Sequence, residues 1–288
     1  MKKYIKTVTI STLSLLSYVT QPLMAAEPPP QIMKLLNDNT PLKPTKVFDN
    51  VYSIGTVSVS AWAIKTSEGI ILIDAMWDDD SAKLIIKDMK ELGLDPTQLK
   101  YILISHGHGD HYGGANYLRN KYHAKVAMSK VDFDFMHSLN KGPNGPRSPK
   151  TPADIFVKDG DVITLGNESV KILLTPGHTP GGISFIFPVT NDGQKHTAIL
   201  WGGTGIPHDM KSKLAYQKSV AHFEEEARKA NADIELTAHL FIGDNFAKLD
   251  KVRDRKEGEN NPFILGQDGM NKYFKELHKS IDDAIKEK

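Results

Sequence analysis

The chain reads as an α/β protein: two β-sheets packed face to face, with helices on their outer sides. Two observations predict this. Short apolar runs of strand length cluster, a run of helical periodicity follows, and the same order returns in the second half. Those runs are apolar on nearly every residue, so both faces of each strand need covering. No linker interrupts residues 27–288, which argues for a single domain over that span.

Taken in order, residues 27–45 are rich in proline (Pro28-Pro29-Pro30, Pro41, Pro44) and predict an extended lead-in. Strand-like runs follow at 51–55, 57–66 and 69–74, with Ser67-Glu68-Gly69 as a hairpin turn between the last two. Asp78 to Asp80 offer N-caps for a helix ending at Gly93, with Leu84, Ile85, Met89 and Leu92 at helical spacing. Residues 101–105 predict a buried strand, and a helix from near Gly113 to Tyr122 comes after it. In the second half, 124–128 predict a strand, 131–139 a short helix and 140–152 a Gly/Pro-rich surface loop. Strands at 162–165, 170–175, 183–187 and 197–201 precede a long helix over 214–230. A last strand at 234–237 and an amphipathic helix at 271–286 close the chain.

The N-terminus has a different character. Met1-Lys2-Lys3 and Lys6 are basic, 8–19 are apolar but diluted by Ser and Thr, and Met24-Ala25-Ala26 supplies small residues. That order is a secretory signal peptide over 1–26, cut after Ala26. The apolar stretch is short and polar for a bilayer span. The expectation is export to the periplasm or the medium, with no membrane anchor after cleavage. The formal net charge is +1, and 25% of residues are charged. Such a balance provides no long-range field for nucleic acid, and no basic cluster with interleaved aromatics exists. A small molecule is the expected partner. The chain has no cysteine, which excludes disulfides, thiolate ligands and a lipid-anchored signal. Any metal must be held by His, Asp, Glu or solvent.

The run His106-Gly107-His108-Gly109-Asp110-His111 carries the chemistry. Imidazole nitrogen and carboxylate oxygen suit zinc and, less selectively, other first-row metals. One tetrahedral ion cannot easily use four ligands this close together, whereas two ions sharing the loop can. In an extended or gently curved loop, residues two apart point the same way. His106 and His108 then reach one ion, and Asp110 and His111 reach a second. Each ion needs further ligands. His178, in Thr175-Pro176-Gly177-His178-Thr179-Pro180-Gly181, and His239 both lie just past a strand end, where sites collect in layered folds. A lone loop histidine is usually solvated, and His123, His137, His196, His208, His222 and His278 are read that way. Trp77, Phe133, Phe135, Met136 and Trp201 are read as core before pocket.

With these residues the chain resembles the metallo-β-lactamase superfamily. The His106–His111 run after an apolar strand, the turn around His178, and Gly69-Ile70-Ile71-Leu72-Ile73-Asp74 carry the resemblance. It implies a four-layer αβ/βα sandwich with the site at one edge of the sheets, and two zinc ions. It assigns His106, His108 and His178 to the first zinc and Asp110, His111 and His239 to the second. Asp74 matches the outer carboxylate that orients a ligand or the bridging solvent. Asp110 would also orient, or relay the proton of, a metal-bridging hydroxide.

Branches of the family differ near residues 200–205. The glyoxalase II and lactonase type places a bridging Asp there, and two β-lactamase subclasses place Cys. Leu200-Trp201-Gly202-Gly203-Thr204-Gly205 holds neither. That is similar to the cysteine-free third subclass of metallo-β-lactamases, as is the tail 253–266 with Asn261-Pro262-Phe263. The third subclass usually carries two serines that help hold the substrate carboxylate. Gly203 and Gly205 stand at those places, leaving Thr204 as the only hydroxyl of this substrate loop. The resemblance implies an exported zinc hydrolase opening a cyclic amide, foremost a β-lactam. A lactone, ester or other amide substrate stays open, as does an exported metal-binding protein without turnover.

Overall fold

The structure, a computed structural model, describes residues 30–139, 148–256 and 258–287. The expected signal peptide over 1–26 and residues 140–147 of the predicted loop lie outside these.

The first sheet has seven strands in spatial order β1 (Thr45–Lys46), β2 (Val51–Gly55), β3 (Ser60–Thr66), β4 (Gly69–Ile73), β5 (Leu99–Leu103), β6 (Lys125–Ser129) and β7 (Ile155–Val157). Pairing is antiparallel up to β4 and parallel beyond it. The second has five: β8 (Val162–Leu165), β9 (Glu168–Leu174), β10 (Ile183–Asn191), β11 (Gln194–Leu200) and β12 (Ile234–Leu236). All its pairs are antiparallel except β11 with β12. The helices are α1 (Pro30–Leu36), α2 (Asp79–Glu91), α3 (Gly109–Tyr112), α4 (Ala115–Tyr122), α5 (Lys130–Ser138), α6 (Met210–Lys229), α7 (Asn245–Asp254) and α8 (Gly266–Lys286).

Strand alternation builds the four layers. Ile71 and Ile73 of β4 cluster with Trp62, Leu103, Phe185, Phe187, Leu200 and Leu236 between the sheets. Ile70 and Leu72, one step along the same strand, cluster instead with Ile85 and Met89 of α2, Leu118 of α4 and Met136 of α5. On the far side Leu173, Ile186 and Ile199 cluster with Tyr216, Val220 and Phe223 of α6 and Phe274 of α8. Each layer therefore buries both faces of its strands, as the apolar runs require. Truncating a fully buried ring such as Phe185 to alanine removes about 3–5 kcal/mol from such a core.

Five local departures from expectation stand out. Residues 30–36 form the helix α1, not an extended lead-in; Pro30 sits at its first position, where a missing N–H costs nothing. The strands β1 and β7 and the helix α7 were not anticipated. The two strands span two and three residues, and α7 buries only Asn245 and Leu249, so none has a clear period. The metal run is also not an extended loop throughout, because its second half winds into α3.

The layout brings several loops to one edge. Asp74 follows β4, His106 follows β5, His178 follows β9 and His239 follows β12. The turn after β4 is tight: Asp74 and Met76 have φ of 62° and 60°. Non-glycine residues hold such angles only where surrounding contacts over-determine them. No helix among the described residues is long and apolar enough to cross a membrane.

Candidate metal centre

The structure brings the six predicted ligands into two groups of three. His106, His108 and His178 form one, and Asp110, His111 and His239 the other; within each, one donor atom per residue lies within 4.8 Å of the others. The groups adjoin, with the His106 and His111 rings 3.9 Å apart between centroids. In the first, His108 Nδ1 lies 3.0 Å from His178 Nε2. In the second, Asp110 Oδ2 lies 3.4 Å from His111 Nε2 and 3.6 Å from His239 Nε2. The helical turn is what divides the run. His108 caps α3 with extended backbone, and Asp110 and His111 lie on the turn itself.

Outer hydrogen bonds set the tautomers. Nδ1–H of His111 donates to Asp74 Oδ2 at 2.7 Å. Nδ1–H of His239 donates to the Ser58 carbonyl at 2.9 Å, and that of His178 to the Gly205 carbonyl at 2.7 Å. The Ser105 hydroxyl donates to Asp74 Oδ2 at 2.9 Å, so its oxygen is left to accept from His106 Nδ1–H at 3.1 Å. These four rings therefore offer Nε2 inward, and His108 offers Nδ1. Asp74, fully buried, also accepts the backbone N–H of Ser105. One carboxylate thus steadies a histidine of each group, directly in one case and through Ser105 in the other.

A pair of cations fits this donor set. His106 Nε2 and His111 Nε2 are buried without an aligned hydrogen-bond partner. Such orphaned polar atoms are costly unless something else engages them. Burial and the neighbouring imidazoles hold His106 well below the ordinary histidine pKa, and burial with His108 takes His178 to about 3. Burial also lowers His108 and His239. All four rings are therefore neutral at pH 7, with lone pairs ready to ligate. Burial opposes the charge on Asp110, yet His111 and His239 hold its carboxyl well below the usual carboxylate range. Burial likewise opposes a charge on His111, but Asp110 and Asp74 on either side raise its pKa to about 10, so a cation binding its Nε2 displaces a proton.

The loop over residues 203–205 packs on the first group. Gly203 and Gly205 lie against the imidazole of His178. A Cβ on Gly203 would sit 2.5 Å from His178 Cβ, and one on Gly205 2.9 Å from His178 Cε1. Real Cβ atoms do not approach that closely, so serine cannot replace either glycine without moving the ligand. Trp201 Nε1 donates to the Gly203 carbonyl at 2.5 Å, tying the loop down from below. Thr204 is half-buried. Of the residues read as core, Trp201 and Met136 are buried, Trp77 and Phe133 are half-buried against the core, and Phe135 is half-buried with its ring 5.9 Å from that of His108. Ser58, Ser105 and Asp132 support the centre but were not singled out from sequence. Only Ser105, adjacent to the run, carried any signal.

The Metallo-beta-lactamase superfamily model matches residues 54–192. The uncharacterized protein YobT of Bacillus subtilis (strain 168) is 32% identical over 186 residues, covering 60% of this chain and 76% of that protein. The hydroxyacylglutathione hydrolase of Pelagibacter ubique (strain HTCC1062) is 38% identical over 208 residues, covering 72% of each. Hydroxyacylglutathione hydrolases of Rhodopseudomonas palustris align over only 30% of their own length. Among solved structures, BJP-1, a subclass B3 metallo-beta-lactamase of Bradyrhizobium japonicum, superposes with a TM-score of 0.71 at 26% identity, covering 88% of this chain and 94% of that one. With the family model over residues 54–192, which hold five of the six ligands, a 38% identical relative aligned over 72% of this chain and of its own length, and a solved member superposing on 88% of this chain, the chain belongs to the metallo-beta-lactamase superfamily.

Proposed function

We propose that this metallohydrolase is an exported zinc enzyme that opens a cyclic amide of the β-lactam class. The observation that carries the reading is a complete His/Asp donor set to which residues 200–205 add neither a carboxylate nor a thiolate. Three protein ligands per ion leave coordination positions for solvent and substrate, the mark of a catalytic site over a closed structural one. The residues that would hold the ions are His106, His108 and His178 for one, and Asp110, His111 and His239 for the other. Bound there, two zinc ions would lower the pKa of an intervening water and polarise the substrate carbonyl.

The chain's own residues divide the remaining work. Asp110 faces His111 and His239 through Oδ2, which leaves Oδ1 to orient the attacking water and take its proton. Asp74 and Ser105 keep His106 and His111 in the ligating tautomer. His108 and His178 are the more exposed ligands, so substrate approaches from their side, along the ring of Phe135. Thr204 is the one hydroxyl in the substrate loop that can meet a substrate carboxylate.

A second reading, an ester, thioester or lactone substrate, rests on two facts. The glycines against His178 exclude the serine pair that grips a β-lactam carboxylate, and a 38% identical relative is named a hydroxyacylglutathione hydrolase. Steady-state assays of zinc-loaded protein on penicillins, cephalosporins, carbapenems, lactones and thioesters decide between the two. β-Lactam turnover lost in His106→Ala supports the first. Background rates on every β-lactam, with turnover of a lactone or thioester, replace it with the second. Turnover of none would reject both in favour of metal binding without catalysis. The export reading predicts that chain recovered from the periplasm of a bacterial host begins at Glu27; a retained Met1 would overturn it.

A further inference from the structure

We propose that Asp132 is a positioning residue whose single carboxylate clamps the two ligand-bearing loops together, setting His106 and His108 against His178. The proposal rests on the two-cation reading of the centre. Asp132 is 1% exposed and belongs to neither ligand group. Its Oδ2 accepts the backbone N–H of Gly107 at 2.7 Å and the hydroxyl of Thr179 at 2.6 Å. Its Oδ1 accepts the backbone N–H of Gly181 at 2.7 Å. Gly107 separates two ligands of the first group; Thr179 and Gly181 follow the third.

The position of Asp132 shows that this is not ordinary helix capping. It is the third residue of α5, where an acidic side chain commonly folds back onto the backbone N–H of the N-cap residue. The N-cap Ser129 accepts the Asp132 N–H at 3.0 Å, the usual half of a capping box, and donates to the Gly181 carbonyl. The Asp132 carboxylate is left for the loops. Burying a charge is unfavourable unless hydrogen bonds satisfy it, and here Gly107, Thr179 and Gly181 of the ligand loops supply them. The glycines permit the approach. A Cβ on Gly107 would lie 2.9 Å from the Asp132 carbonyl oxygen, and one on Gly181 2.6 Å from Val131 Cβ and 2.7 Å from the Asp132 nitrogen. Both loops therefore close onto the first turns of α5 only because they carry no side chain there.

Asp132→Asn tests this with little change of volume. Whichever way the amide turns, one ligand-loop N–H, of Gly107 or of Gly181, faces an N–H in place of an acceptor. Cobalt(II) affinity is measured by chelator competition in two backgrounds. His239→Ala retains the three-histidine group, and His106→Ala retains the other. The clamp predicts that Asp132→Asn weakens cobalt(II) by about 10- to 100-fold in the His239→Ala background, the range typical for residues that orient ligands. In the His106→Ala background it predicts less than about a twofold change, well under the range for lost ligand support. Thr179→Val, which removes one of the three bonds, is expected to show a smaller loss with the same preference, and serves if Asp132→Asn does not fold. Unchanged affinity in both backgrounds would overturn the clamp. Equal losses in both would reduce Asp132 to general stability. A parent chain that takes up no cobalt(II) at all would instead overturn the two-cation reading on which the clamp stands.

Discussion

Ser105 shows how a single hydroxyl can serve two sites. It donates to Asp74 and accepts from His106, while Asp74 also receives His111. Ser105→Ala would leave the His106 Nδ1–H buried without an acceptor, at a cost of about 1–3 kcal/mol. The expected result is metal affinity down by about 10- to 100-fold, with the chain still folded, as read by chelator competition and circular dichroism; affinity equal to the parent would remove Ser105 from the ligand support. At this scale the sequence was legible wherever chemistry is local. Four ligands fall within six residues, separated only by glycines. His178 and His239 were found by their place after strands. Of the supports, Asp74 was read through the family resemblance; its partners and the other supports were not visible, because they form across distance and through backbone atoms. His239 leans on a carbonyl 181 residues away, His178 on one 27 residues away, and Asp74 meets Ser105 across 31. A backbone acceptor leaves no trace in residue type.

Among the elements, strands and long helices were read correctly because their apolar periods are strong. The failures are the pieces without a period: two short strands, α1 and α7. The substrate loop is the element whose chemistry departs most from its resemblance. Gly203→Ser, which would bring in the hydroxyl expected at that position, is predicted to push His178 aside and cut hydrolysis at least tenfold, since misplacing a ligand by about 1 Å can cost 10²-fold. A rise in β-lactam turnover with unchanged metal content would show that the loop has room for serine. The helix α2 carries a different liability. Asp88 is buried, its Oδ2 has no hydrogen-bond partner, and burial raises its pKa to about 6. The folded chain therefore holds this proton more tightly than the unfolded chain between about pH 4 and pH 6. Its effect on stability becomes less favourable as pH rises through that window, and stays so above it. Asp88→Asn is expected to gain up to about 3 kcal/mol in urea denaturation at pH 8 and little at pH 4; destabilisation at pH 8 would show that the carboxylate has a partner that favours its charge.

At the scale of the whole molecule, the fold serves to bring strand ends from two sheets to one edge. The three clusters that hold the layers together are apolar and include none of the six ligands, so the fold does not depend on the metals for its core. The centre contributes a second, ligand-dependent increment, because cations that bind only the folded chain stabilise it by mass action. The account's central claim is that two groups of three donors hold two cations that act together in hydrolysis. The most direct measurement is a zinc titration of chelator-stripped protein, following bound zinc per chain and hydrolysis of the best substrate in the same samples. The account predicts no hydrolysis without metal and a rate that reaches its plateau as the second equivalent binds. Full activity in stripped protein, or saturation of zinc binding with no second equivalent, would contradict it.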